Sequence, residues 1–153
     1  MILYGRSDEV AAFVAANIPG CERGFGPCQA VGFLDDEGQL EAGVVYHNWS
    51  PETQVIEISA ASAHRNWTSR ERVRAIFSYP FDDLGCRIVI ARIGEHNVRA
   101  RRIWRSLGAD EYRIPALRSP TEAEMIYTLR AEVWRAGKFS GVPNGKTIRS
   151  KAS

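Results

Sequence analysis

Phe81-Asp82-Asp83-Leu84-Gly85-Cys86-Arg87-Ile88-Val89-Ile90-Ala91-Arg92-Ile93-Gly94-Glu95-His96-Asn97, running on to Leu107-Gly108, carries the strongest structural signal in the chain. It reads as the end of a helix, a tight turn at Gly85, an apolar strand, a short loop, and a helix that opens near Asn97 and stops at Gly108. Ile88 to Ala91 run without polar interruption, as in a central strand covered on both faces. The helix behind it should turn Val98, Ile103, Trp104 and Leu107 inward. Arg99, Arg101, Arg102 and Arg105 then form a solvated face.

Upstream, Thr68-Ser69-Arg70-Glu71 has the form of a capping box. Val73, Ile76 and Phe77 form an apolar helical face behind it, and Pro80 should end or kink that helix. Before it, residues 29–34, 40–46 and 54–60 read as three meander strands. Asp35-Asp36-Glu37-Gly38 and Asn48-Trp49-Ser50-Pro51-Glu52 are the turns between them. A short strand over residues 1–4 and a helix capped by Ser7 come first. That helix buries Val10, Phe13, Val14 and Ile18 and ends at Pro19-Gly20. Downstream, residues 109–114 and 125–129 read as two last strands separated by a proline-containing loop. A polar, basic segment from Trp134 to Ser153 reads as a loose tail. Strands first, then strand-helix alternation, predict a mixed α/β sheet with helices. The expected organisation is a single domain over residues 1–136 and a basic tail over 137–153.

The composition narrows the function. With 153 residues, 44% apolar and 25% charged, the chain can bury a core without disulfide or metal. A net charge of +2 is too small to argue for nucleic acid. Cys21, Cys28 and Cys86 have neither disulfide-framework nor zinc spacing, so no metal is expected. Neither a signal peptide nor a bilayer-length apolar run is legible. The expected setting is cytoplasmic and reducing, with no membrane partner.

The order from residue 73 to 108 resembles the second half of a Gcn5-related N-acetyltransferase (GNAT). The resemblance rests on an apolar strand leading to Asn97 and a helix ending eleven residues later at Gly108, with the small Ala100 between. Phe81-Asp82-Asp83-Leu84-Gly85 and Ala91-Arg92 are similar to the branch that acetylates ribosomal-protein N-termini. The likeness extends more loosely from 29 to 130. It implies a mostly antiparallel mixed sheet, splayed between the strands at 54–60 and 87–93. It implies a small-molecule acyl donor, acetyl-CoA, entering there. The acceptor would be a primary amine on a protein N-terminus, a lysine or a metabolite, and the resemblance admits a homodimer.

Site residues follow from the same likeness. Asn97 would help hold the pantetheine arm, since an amide both donates and accepts; it could equally just cap its helix. The loop and helix start Arg65, Asn66, Trp67, Thr68, Ser69 and Arg70 stand where the family grips a pyrophosphate with glycines and a helix N-terminus. No glycine is present there, so backbone amides, hydroxyls and arginines would have to serve. The strand residues Ile58, Ser59 and Ala60 would lie beside the thioester, where backbone N–H groups meet the oxyanion. Glu57 is the candidate base, sharing its strand face with Val55 and Ser59. His47 and Glu52 are weaker candidates. The family's usual acid, a Tyr, is replaced by Trp104, and nothing in the sequence places Tyr112 or Tyr127 at the sulfur. Two rivals stand beside this reading: a non-catalytic acyl-CoA or partner-binding member of the fold, and a small nucleic-acid-associated module.

Overall fold

A computed structural model describes residues 1–64 and 66–140. The expected roles of Arg65 and of the tail from 141 onward lie outside the described residues. The elements, in chain order, are β1 (Ile2–Leu3), α1 (Ser7–Asn17), β2 (Cys28–Leu34), β3 (Leu40–Ser50), β4 (Val55–Ser62) and α2 (Arg70–Ser78). They are followed by a π-helical turn (Tyr79–Asp83), β5 (Ile88–Gly94), α3 (Val98–Ser106), β6 (Asp110–Ser119), β7 (Glu122–Arg130) and α4 (Ala131–Ala136). The chain divides into two compact units, Met1–Cys86 and Arg87–Ser153.

In the first unit β1 to β4 form an antiparallel meander. Period-two alternation sends Gly32, Gly43, Val45 and Ala61 to one face, and α1 packs there. Gly32 and Gly43 are cross-strand partners. A Cβ on Gly43 would come within 2.7 Å of Val10 and 2.8 Å of Val14, so the missing side chains form the groove that seats the helix. Val10 and Val14 are accordingly fully buried.

The opposite face carries Phe33 and Tyr46 and meets α2. The Arg72 guanidinium lies 5.1 Å from the Phe33 ring centre. The Tyr46 hydroxyl donates to the Ile76 carbonyl. That bond has a local cause. The carbonyl of Ile76 would ordinarily accept the N–H of residue 80, but Pro80 has none. Tyr46 fills the gap from across the sheet. Around the proline, from Tyr79 to Asp83, the helix widens into its π-helical turn, where Leu84 N–H reaches the Tyr79 carbonyl at 3.0 Å.

In the second unit β7 lies between β5 and β6, antiparallel to both. One face of β5 and β7 buries Val89, Ala91, Met125, Tyr127 and Leu129, and Trp104 of α3 stacks on Tyr127 at 6.2 Å.

Several expectations change. The capping residue of α2 is Ser69, whose side chain accepts from Arg72 N–H; an arginine therefore stands where a capping box needs Glu, and Thr68 lies outside. β3 runs on through Asn48 and Trp49, where the sequence predicts a turn, because Asn48 adopts φ 54° and a bulge carries the strand to Ser50. β5 starts at Ile88 and is not equally covered: Ile88 and Ile90 are only half-buried and Arg92 is exposed. Val98 is 55% exposed rather than inward, since the first residue of α3 overhangs the packed face. Pro115 lies inside β6, where pairing shifts register between Ile114 and Ser119; an outer strand tolerates a residue with no N–H. Trp134 is not tail: α4 buries it.

Candidate active site

The first unit carries the helix start expected to meet a phosphate. The segment after β4 is tethered from below by Arg72. Its guanidinium donates to Glu41 at 2.7 Å, to the Trp67 carbonyl at 2.9 Å and to the Leu34 carbonyl at 3.0 Å. The Trp67 indole lies against the Phe33 ring at 5.6 Å, and Trp67 and Thr68 are half-buried. Asn66, Ser69, Arg70 and Glu71 are exposed. The start of α2 therefore faces outward, with Ser69 satisfying one amide of the first turn and the loop below it held by an arginine. No local pattern signals the Arg72 clamp, because two of its partners, Leu34 and Glu41, flank the β2–β3 hairpin more than thirty residues upstream.

On the α1 face, β3 and β4 bring a polar group together. Their register sets His47 opposite Glu57. His47 Nε2 lies 2.9 Å from Ser59 Oγ and 3.9 Å from Glu57 Oε2. Asn48 Nδ2 donates to Glu57 Oε1 at 2.9 Å. The Phe25 ring packs at 4.9 Å from the imidazole. His47 is buried, 7% exposed, and desolvation holds its pKa below the usual histidine value, against the raising pull of Glu57. A neutral imidazole beside a carboxylate whose nearest partners are uncharged can receive a proton. The candidate base and the weaker histidine candidate thus form one cluster. Glu52, in the exposed turn after β3, is not joined to it by any described contact.

Of the strand residues, Ile58 is buried and Ser59 half-buried on opposite faces, and Ala60 is exposed. Burial pushes the Cys86 thiol up to about 11, and burial and the Asp8 charge raise Cys28, so neither is poised as a thiolate nucleophile at neutral pH.

The second unit places its expected residues differently. Asn97 is exposed and caps α3, its Oδ1 accepting the Ala100 N–H at 3.2 Å. Trp104 is a core residue. Tyr127 is buried and its hydroxyl is committed to Glu111, with Arg101 donating to it at 3.1 Å. The arginine face of α3 is partly structural. Arg101 also donates to the Glu95 carbonyl at 2.7 Å, and Arg105 forms a fork on Glu111 at 2.8 and 2.9 Å. Tyr112 is 54% exposed on β6. No group of His, Cys, Asp and Glu suited to a metal occurs among the described residues. No described helix is long and apolar enough to cross a membrane.

No protein-family model matches the chain, and no curated protein matches it significantly. Solved structures do. One described as a probable acetyltransferase aligns with 19% identity and a TM-score of 0.60, over 71% of this chain and 65% of its own length. A mutant of the spermidine N-acetyltransferase SpeG from Vibrio cholerae aligns with 11% identity and a TM-score of 0.61, over 71% of this chain and 69% of its own. A dodecameric form of the V. cholerae spermidine enzyme gives 11% and 0.61, over 70% and 67%. The chain thus spans about two thirds of the length of these structures. At such identities the likeness is one of fold, shared with these acetyltransferase structures.

Proposed function

We propose that this chain is an N-acetyltransferase that moves an acetyl group from acetyl-CoA to a primary amine. The observation that carries the reading is an outward-facing, capped helix start following β4 in an acetyltransferase fold, with a carboxylate on β4 whose partners are neutral. Asn66, Trp67, Thr68, Ser69 and Arg70 form the pyrophosphate cradle. The amides of the first turn of α2 and the Arg70 charge supply the attraction that glycines normally permit by close approach. The backbone of Ile58, Ser59 and Ala60 flanks the thioester, and Asn97 meets the pantetheine arm. Residues 1–136 act together as one acetyltransferase domain, in a reducing cytoplasm.

Glu57 accepts the proton that leaves the acceptor ammonium. The neutral amine then attacks the thioester carbonyl; the C–N bond forms, the C–S bond breaks, and the thiolate leaves with its electron pair. The proton released from the new amide nitrogen passes to solvent or sulfur. An α-amino group, with a pKa of about 7.7–8.0, asks less of the base than a lysine near 10.4, which favours a protein N-terminus. The spermidine enzymes of the same fold make a polyamine the rival acceptor, and the dodecamer among them makes self-association worth measuring; a homodimer is our reading. The glycine-free loop favours one alternative, a fold kept for binding acyl-CoA without turnover.

The test is calorimetry with acetyl-CoA, followed by thiol release with peptides bearing a free N-terminus and with spermidine. Binding with thiol release supports the transferase; binding without release selects the alternative; no heat at high micromolar acetyl-CoA overturns both.

A further inference from the structure

We propose that His47 and Glu57 titrate as one pair, and that His47 stores the proton which Glu57 takes from the acceptor ammonium. The inference rests on the transferase reading and deepens it. Glu57 is the outer member: its side chain keeps 13% of its exposure and is steadied by exposed Asn48. His47 is the inner member, its side chain 8% exposed, with Nε2 at hydrogen-bond distance from Ser59 Oγ and at ion-pair distance from Glu57 Oε2. A buried histidine needs a reason for its polar edge, and here that edge is aimed at a hydroxyl and a carboxylate rather than at a backbone carbonyl.

The chemistry favours two groups over one. A lone carboxylate, with a reference pKa of about 4.3, is a weak sink for a proton leaving an ammonium; an imidazole, whose reference value near 6.5 burial lowers here, adds a second site for it. The N–H bond of the ammonium breaks, its electron pair stays on nitrogen, and the proton passes from the Glu57 carboxyl to His47 Nε2 once the two side chains close from 3.9 Å to hydrogen-bond distance. The imidazolium so formed lies beside the Glu57 carboxylate, which stabilises it, while Ser59 Oγ accepts from Nε2–H. Burial then returns the proton to solvent, because a desolvated imidazolium is disfavoured.

The surroundings do not supply a competing charge at the ring. From β2, the cross-strand partner Cys28 carries a thiol kept protonated by burial and by the charge of Asp8 on α1. From the preceding loop comes the Phe25 ring. From β4 come Glu57 and Ser59. Glu57 is thus the one ionised group among them that contacts His47 directly.

The experiment follows the imidazole of His47 by NMR, assigned by loss of its signal in His47→Gln, through a pH titration of the full chain and of Glu57→Gln. The expected result is that Glu57→Gln lowers the His47 midpoint by about one unit or more; an unmoved midpoint overturns the pair. In transfer assays with acetyl-CoA and the acceptor found above, the acid limb of kcat against pH should follow the wild-type midpoint. His47→Gln should lower kcat at neutral pH by about tenfold or more and remove that limb, with KM for acetyl-CoA unchanged. An unchanged profile in His47→Gln overturns the storage role. Ser59→Ala, which keeps both titrating groups, serves as the milder variant: it should preserve the Glu57-dependent midpoint, and loss of the coupling there would overturn direct sharing. Calorimetry separates the two readings, since absent acetyl-CoA binding with an intact Glu57-dependent midpoint removes the transferase and leaves the titrating pair standing.

Discussion

The carboxylates of the two units live in different company. In the second unit Glu111 is held by Arg105 and Tyr127, Glu95 by Arg113 at 2.7 and 3.2 Å, and the buried Glu124 by Arg92 and by Arg118 at 3.0 Å. In the first unit Glu57 has an amide and a neutral imidazole. Arginine forks suppress the basicity of a carboxylate, as at Glu111, whose pKa falls to about 2 through the hydrogen bonds of Arg105 and Tyr127. Such groups build structure; a carboxylate with uncharged partners keeps its capacity to take a proton. Glu41, paired with Arg72, shows that the first unit also contains the structural kind. Glu122, in contact with His96, is a second carboxylate–imidazole pair, so the contrast is between individual sites rather than between halves of the molecule.

Disabling the Glu57 site should have the largest consequence. Glu57→Gln is expected to lower kcat by about 10²–10⁴-fold while acetyl-CoA affinity in calorimetry stays the same; an unaltered rate across pH would put the base elsewhere. Next in size are two core features of the first unit, both read by urea unfolding. Tyr46→Phe strands the Ile76 carbonyl beside Pro80 and should cost about 1–3 kcal/mol. Gly43→Val forces a side chain into Val10 and Val14 and should cost about the same, roughly 1–3 kcal/mol. Ser69→Ala removes the cap of α2, for about 1 kcal/mol, and in addition should weaken acetyl-CoA binding if the helix start grips phosphate.

The smallest effect tests the other side of the contrast. Because the Glu111 pKa is lowered on folding, its stabilisation is fully present above the unfolded value near 4.5. It is lost as pH falls toward the folded value of about 2. Thermal unfolding of wild type and Glu111→Gln should therefore differ at pH 6 and converge between pH 4.5 and 2. A constant gap would mean that Glu111 stabilises by shape rather than charge.

Much of the architecture is legible in the amino-acid order alone. Val10 and Val14 at helical spacing, Gly38 in its hairpin and the run from Ile88 to Gly108 each carry a local rule, and each lies in the element expected. Errors cluster where a tertiary partner overrides local preference. Asn48-Trp49 looks like turn sequence, yet β2 and β4 flank β3, and the strand continues with a bulge. Trp134 sits in polar sequence, yet α4 turns its indole into the core. Asn97 admits two roles on sequence grounds, and its capping bond realises one of them.

Spacing along one chain is enough to say which segments are helix or strand and which of their faces are apolar, since both properties are local. Element order by itself gives a mixed α/β sheet; the acetyltransferase expectation comes from the family resemblance carried by the residues around Asn97 and Gly108. What each polar side chain faces is settled only when the elements dock. The bulge between His47 and Ser50 fixes the register that sets His47 against Glu57, and the placement of α3 beside β6 and β7 turns Arg101 and Arg105 into ties for Glu111 and Tyr127. A one-residue slip would send each strand residue to the opposite face, so the identity of a polar partner is a property of register and docking, which no local pattern contains.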